Sequence, residues 1–236
     1  MTRLVALVPM KGHSERVPNK NLRPFNGRPL CHWVLNTLGA TPEVDEVVVN
    51  TDSAEIAEEA RCFDATVLER PEELRGDRVP MNDIIRHDVG AVEADRYLQT
   101  HCTNPLLRPE TVSEAVEAFA AEECDSLFSV TPLQTRLWDA DGEPINHVRD
   151  ELKRTQDLDP VYEENSNLYL FTEASLERRN NRIGDDPEMF PMDATEAIDI
   201  DEPVDFRVAE MLHRDRYGEE IGRASCRERV YCECRS

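Results

Sequence analysis

Arg3 to Pro9 reads RLVALVP, an apolar run without alternation that feeds directly into a loop crowded with cations. A strand of that pattern must be covered on both faces, because a half-exposed strand alternates apolar and polar residues. The loop places Lys11, Arg16, Lys20, Arg23 and Arg28 among Gly12, Pro18, Pro24, Gly27 and Pro29. Residues 1–30 carry six Lys and Arg against one acid, Glu15, in a chain whose formal net charge is −22. Clustered cations and loop amides raise the local potential where a polyanion such as phosphate sits. A basic surface patch is the other reading of the same residues.

Beyond the loop the chain alternates between helical and extended patterns. Leu30, Val34, Leu35 and Leu38 recur at helical spacing after Pro29, and Glu46 to Asp52 reads as a second strand. Ser53 caps a helix running to Phe63, followed by a short strand from Ala65 to Glu69. Helices are expected at 82–92, 109–123 and from Val204 through Leu212, and strands at 97–101, 126–130, 167–172 and around Ile198 and Ile200. Periodicity fails from Pro132 to Val161, where Asp141-Gly142 marks a hairpin turn. This order predicts an α/β three-layer sandwich on a mostly parallel sheet, formed by one domain over residues 1–220. Ligands of such sheets bind at the carboxyl ends of strands, where the basic loop lies, and this favours the phosphate reading.

The loop has neither G-x-G-x-x-G nor G-x-x-x-x-G-K-[ST], so a Rossmann dehydrogenase and a P-loop NTPase are excluded. Side-chain cations, assisted by loop amides, would hold the phosphate, as in nucleotidyltransferases. With 49 Asp and Glu against 27 Lys and Arg, the surface disfavours nucleic acid and anionic membranes as partners. Apolar runs fall far short of the roughly 20 residues of a membrane helix, and a cytoplasmic location is expected. Cys31, Cys62, Cys102 and Cys124 lie singly, without metal-ligand spacing, and read as free thiols. Residues 221–236 reverse the acidic bias, and IGRASCRERV resembles one reading frame of a sequencing adapter, so this tail is expected to be an artefact.

Five landmarks occur in the order found in one family. Ser14, Pro18, Lys20 and Asn21 form x-x-S-x-x-x-P-x-K-N, and Glu46 to Asp52 is similar to V-x-T-D. Glu69-Arg70-Pro71 with Leu74 and Asp77 follows R-P-x-x-L-x-x-D, and Leu98-Gln99 with Thr103 to Leu106 is similar to L-Q-P-T-S-P-L. Ile198 to Asp201, Asp205 and Ala209-Glu210 match I-D-I-D-x-x-x-D-x-x-x-A-E. Over Arg3 to Leu212 the chain resembles the acylneuraminate cytidylyltransferases, also called CMP-sialic acid synthetases. The resemblance implies a Rossmann-like nucleotidyltransferase sheet and a dimerisation arm over residues 132–161, hence a homodimer.

On that resemblance Lys11, Arg16 and Lys20 are the catalytic cations that stabilise departing pyrophosphate. Lys11, Asn21, Arg70 and Asp77 would bind the nucleotide, and Gln99, Arg154, Gln156, Asn165 and Tyr169 the sugar acid. Asp199 and Asp201 are two apart and share a face of an extended segment, costly to bury without a counter-ion. Mg²⁺ accepts one or two carboxylates together with substrate phosphates, so a metal site and a solvated acidic strand end are the two readings. A surface salt bridge of Arg70 with Glu69 or Glu73 is the other reading of that residue. His101 and Cys102, adjacent on a strand, are expected to face opposite sides, with His101 structural.

Lys11 and Thr155 stand where the family usually has Arg, Glu15 where it has Lys, and Ser166 where it has Gly. Most of the remaining departures lie on the sugar side, so the acid need not be N-acetylneuraminate. The reading that follows is a CTP-dependent cytidylyltransferase of a nonulosonic 2-keto sugar acid, using Mg²⁺ and serving glycan synthesis. Its rivals are an octulosonate cytidylyltransferase, a guanylyltransferase, or a nucleotide-binding protein without turnover. The acidic composition predicts adaptation to high salt: Tm should rise steeply between low-salt buffer and molar KCl, and a flat response contradicts that.

Overall fold

Every residue of the first strand, β1 (Leu4–Met10), is buried, as its unbroken apolar pattern requires. In this computed structural model, residues 2–151 and 153–233 are described, with side chains of the last helix described through Gly218. A two-strand hairpin follows the basic loop, β2 (Pro24–Phe25) and β3 (Arg28–Pro29), turned at Asn26 and Gly27. Both turn residues have positive φ, 47° and 89°, the backbone that Asn-Gly supplies at least cost. Next come α1 (Cys31–Ala40), β4 (Glu46–Thr51), α2 (Ala54–Arg61), β5 (Thr66–Glu69), α3 (Met81–Ala91) and β6 (Arg96–Thr100). The chain continues through α4 (Pro109–Ala121), β7 (Ser126–Leu133), β8 (Val161–Phe171), α5 (Glu173–Arg179), β9 (Pro187–Pro191) and α6 (Pro203–Glu233).

The strands form a seven-stranded sheet in the order β5-β4-β1-β6-β8-β7-β9. Only β8 runs against the others, so the sheet is mostly parallel. Leu4, Ala6, Val8 and Met10 turn to one face, packed with Val34, Leu35 and Leu38 of α1 and Val112 and Phe119 of α4. Val5 and Leu7 turn to the other, against Ile85 and Val89 of α3 and Leu176 of α5. These are the two interfaces of a three-layer sandwich. In a third cluster, Val17, Phe25 and Leu30 from the basic loop and hairpin meet Leu106, Ile200, Phe206 and Ala209. It pins the loop to the start of α6. The chain crosses sides after β1, since β4 lies on one flank and β6 on the other; the carboxyl ends of β1 and β6 therefore frame a crevice.

Several expectations are corrected. Ile198 to Ile200 joins no strand: Ile200 donates one backbone bond, to Thr103 O at 3.0 Å, and its side chain enters the third cluster. Strand β8 begins at Val161 rather than Asn167, because its first residues pair with the exposed end of β7 and carry no apolar pattern. The β2–β3 hairpin, α5 and β9 had no counterpart in the sequence reading. Helix α5 is short but closed by a capping box between Thr172 and Ser175, and β9 is an edge strand bounded by prolines. The 132–161 stretch holds a turn at Asp139 to Gly142, with Asp139 Oδ1 accepting from the amides of Asp141 at 2.9 Å and Glu143 at 2.8 Å. The tail expected to be an artefact lies outside the described side chains, and residues 234–236 outside the description altogether.

Phe25 is fully buried and makes edge-on contacts with Trp33, Phe206 and His213. Phe25→Ala should cost about 3–5 kcal/mol and lower Tm by roughly 10 °C. A thermal melt shifted by less than about 2 °C contradicts the role of this cluster in anchoring the loop.

Candidate active site

At the crevice between β1 and β6 lies a cleft of about 380 Å³. Its walls include Lys11, Lys20, Asn21, Arg70, Asp77, Asp199 and Asp201, so residues separated by nearly the whole chain meet there. The loop is held by backbone-directed contacts. Gly12 N donates to Asp52 Oδ1 at 2.7 Å, and a Cβ at Gly12 would come within 2.9 Å of Ser53 Cβ, so only glycine fits without displacement. Asn21 Nδ2 donates to Lys11 O at 2.9 Å, and Cys102 Sγ donates to Asn21 Oδ1 at 3.0 Å. Asn21 thus ties the two halves of the loop to the end of β6.

Acids engage the loop's cations. Lys11 Nζ lies 2.5 Å from Asp77 Oδ1, and Lys11 holds the Asp77 carboxyl below the usual carboxylate range by hydrogen bond and charge. Arg16 Nη2 is 2.8 Å from Asp201 Oδ1 and its Nη1 3.4 Å from Glu202 Oε1; the Asp201 charge raises its pKa. Lys20 is the least exposed of the three, donating to Ile200 O at 2.6 Å with Asp201 Oδ1 at 3.6 Å. These pairs are partly exposed and each is weak.

Asp199 differs from its neighbour. Burial, reinforced by the Asp201 charge, pushes its carboxyl above the usual range, and its Oδ1 is buried without a hydrogen-bond partner. An orphaned carboxylate oxygen beside a second carboxylate fits a divalent cation, which takes one or two protein carboxylates and completes its shell with phosphate and water. Among the described residues no group of three or more His, Cys, Asp and Glu is arranged for a metal, so the protein would supply this pair alone.

Arg70 is buried, not a surface partner of Glu69 or Glu73: its Nε donates to Asn50 Oδ1 at 2.6 Å and its Nη2 to Asn50 O at 3.0 Å. Asn50 Nδ2 in turn donates to Asp88 Oδ1 at 2.5 Å. Burial lowers the Arg70 pKa, while Asp52 and Asp88 oppose that shift. Glu69 instead meets Arg75, at 3.4 Å. His101 and Cys102 both line the cleft, because β6 ends at Thr100 and strand alternation no longer applies. Burial, with Arg182 and Lys20 nearby, pushes His101 down to about 3, so its imidazole is neutral.

The residues predicted for the sugar acid are not gathered in the cleft. Gln99 and Tyr169 stand behind its wall. Gln99 Nε2 is 3.0 Å from His101 Nε2, and the Tyr169 hydroxyl donates to Glu164 and lies 3.3 Å from Ser166 Oγ. Asn165 bonds Ser129 Oγ at 2.5 Å and Thr131 Oγ1 at 3.1 Å, bracing the β7–β8 bulge. Arg154 and Gln156 are exposed on the segment between β7 and β8, where Arg154 Nε pairs with Asp157 Oδ2 at 2.7 Å. Arg182, which no motif marks, stacks on Tyr169 with its guanidinium 3.6 Å from the ring centroid.

A mostly parallel sheet with a cationic, glycine-poor loop opposite a carboxylate pair is the arrangement of the nucleotidyltransferase class. Residues 5–222 match the profile of the cytidylyltransferases, and the chain belongs to that family. An N-acylneuraminate cytidylyltransferase of Oncorhynchus mykiss is 29% identical over 215 residues, 88% of this chain and 49% of the fish protein. A CMP-N,N'-diacetyllegionaminic acid synthase of Legionella pneumophila is 30% identical over 232 residues, 89% of this chain and 96% of that protein. The chain thus spans about half the length of the fish relatives and nearly all of the bacterial one. Among solved structures, a CMP:2-keto-3-deoxy-manno-octonic acid synthetase complexed with CTP superposes with a TM-score of 0.68 at 15% identity, covering 91% of this chain and all of that one. No helix among the described residues is long and apolar enough to cross a membrane.

Ser166, on the cleft wall, has φ 56°, a left-handed conformation that costs a non-glycine residue about 1–2 kcal/mol. Ser166→Gly should therefore stabilise the fold by about 1 kcal/mol, read as a rise of roughly 2–4 °C in Tm. A lower Tm in the variant contradicts this reading of the bulge.

Proposed function

We propose that the protein transfers CMP from CTP to the anomeric hydroxyl of a nonulosonic 2-keto sugar acid, releasing pyrophosphate. The observation that carries this reading is the meeting of Lys20 and Arg16 with the Asp199–Asp201 pair at the mouth of one cleft. Asp199 and Asp201 would hold Mg²⁺. When bound, that ion supplies Lewis acidity and neutralises phosphate charge. Lys11, Arg16 and Lys20 leave their carboxylate partners to receive the β- and γ-phosphates and stabilise the charge that builds on pyrophosphate. Arg70, fixed by Asn50, lies on the nucleotide side with Asn21 and Asp77. No protein nucleophile is required, since the sugar hydroxyl attacks the α-phosphorus directly. Cys102 is unsuited to that part: burial pushes its thiol up to about 12.

The names of the bacterial and fish relatives support a sialic-type acid, and their differences leave legionaminic, pseudaminic and neuraminic acids as the substrates to compare. A homodimer belongs to the same reading. The segment between β7 and β8 exposes Trp138, Ile145 and Val148, and Tyr162 beside it, apolar surface that a second copy would cover. On gel filtration, removal of Leu133–Asp159 should convert a dimer into a folded monomer.

Pyrophosphate release from CTP with a panel of nonulosonic and octulosonic acids tests the reaction. Wild-type protein with Mg²⁺ is expected to turn over a nonulosonic acid, and Lys20→Ala and Asp201→Ala should each lose about 100-fold or more in kcat. Wild-type silence across the panel, or full activity in both variants, contradicts the proposal.

A further inference from the structure

Gln99 is fully buried, and both ends of its amide meet a group with one fixed role. Its Oε1 accepts from Arg182 Nη1, and a guanidinium can only donate. Its Nε2 donates to the Thr100 carbonyl oxygen at 3.2 Å, which can only accept. Turning the amide over would set oxygen against oxygen at Thr100 and N–H against N–H at Arg182, so its orientation is fixed. The other Nε2 proton therefore meets His101 Nε2, at 3.0 Å, and that ring nitrogen must accept. A neutral imidazole that accepts at Nε2 carries its proton on Nδ1. The network thus selects one tautomer. It also opposes the imidazolium, which would turn an Nε2 proton toward the Gln99 N–H. Burial, with Arg182 and Lys20 close by, acts in the same direction.

The Nδ1–H has no partner among the described residues, and His101 lines the cleft together with Lys20, Ser166, Asp199 and Asp201. A histidine with a purely structural part would use both ring nitrogens. The sheet order separates it from the residues expected to bind nucleotide: β6 and β8 lie on one flank of β1, β4 and β5 on the other. His101 follows β6 and Ser166 is on β8, whereas Arg70 and Asp77 follow β5. Phosphate is served by charged donors, Lys11, Arg16 and Lys20; a neutral donor with a single proton suits an uncharged oxygen, a hydroxyl or an amide carbonyl. We infer that His101, held by Gln99 and Arg182 as the Nδ1–H tautomer, donates to an uncharged oxygen of the acceptor sugar and helps to select it. This rests on the function proposed above. His101 is then a binding residue, and Gln99 and Arg182 position it. Because Nδ1 already holds a proton, His101 does not serve as the base for the attacking hydroxyl.

Two measurements test this. In ¹⁵N nuclear magnetic resonance, with the His101 signals assigned by their loss in His101→Asn, the wild-type ring should show the Nδ1–H pattern at neutral pH. Gln99→Glu, whose carboxylate only accepts, should move the proton to Nε2. In steady-state kinetics with the sugar acid that wild type turns over best, His101→Leu should raise KM for the acid about 10-fold and leave KM for CTP unchanged. His101→Asn, which keeps an N–H near the place of Nδ1, should fall between. A CTP-induced rise in Tm in each variant establishes that it is folded; if His101→Leu is not, His101→Asn carries the comparison. A wild-type ring protonated at Nε2, a tautomer unmoved by Gln99→Glu, an unchanged KM for the acid, or a rise in KM for CTP instead overturns the inference while the proposed function stands. Wild-type silence with every acid overturns both.

Discussion

Asp201 joins the two charged sides of the cleft. It receives Arg16 at 2.8 Å and Lys20 at 3.6 Å, bridging the loop after β1 to the segment before α6. Those two segments are about 180 residues apart in sequence, and the aromatic cluster around Phe25 and Phe206 fixes their approach. The electrostatic arrangement is two-sided. Cations that repel one another in the loop are balanced by carboxylates that repel one another across the cleft, and a polyphosphate with a divalent ion would satisfy both sets.

The frame was legible because burial writes itself into sequence. RLVALVP could only be a two-sided strand, Ser53 announced its helix, and the sequence order of strands and helices implied the sheet and the crevice at its switch point. That Asp199 and Asp201 reach one cleft was also legible, although Ile198 to Ile200 forms no strand: Ile200 holds the segment through a core and one backbone bond. What escaped was set by tertiary context. Helix α5 is seven residues long and β9 five, each with too few turns or alternations to show a period. Arg70 looks like any arginine among glutamates until Asn50 is placed beneath it.

The residues expected to bind nucleotide and those expected to bind sugar acid differ in how far sequence reaches. Lys11, Lys20, Asn21 and Asp77 line the cleft as their motifs led one to expect. Gln99, Asn165 and Tyr169 lie one layer back, and Arg154 and Gln156 remain on the projecting segment, where a second copy would have to meet them. Arg182 sits in a polar NNRIG stretch with no spacing to mark it, and only the stacking on Tyr169 brings it to notice.

The central claim is that Asp199 and Asp201 form, with CTP, a divalent-cation site facing the loop cations. Mn²⁺ binding followed by electron paramagnetic resonance, with and without CTP, tests it directly. Wild type should bind Mn²⁺ tightly only with CTP present, and Asp199→Asn and Asp201→Asn should each abolish that enhancement while keeping the wild-type circular dichroism spectrum. CTP-dependent Mn²⁺ binding that survives both substitutions would contradict the account.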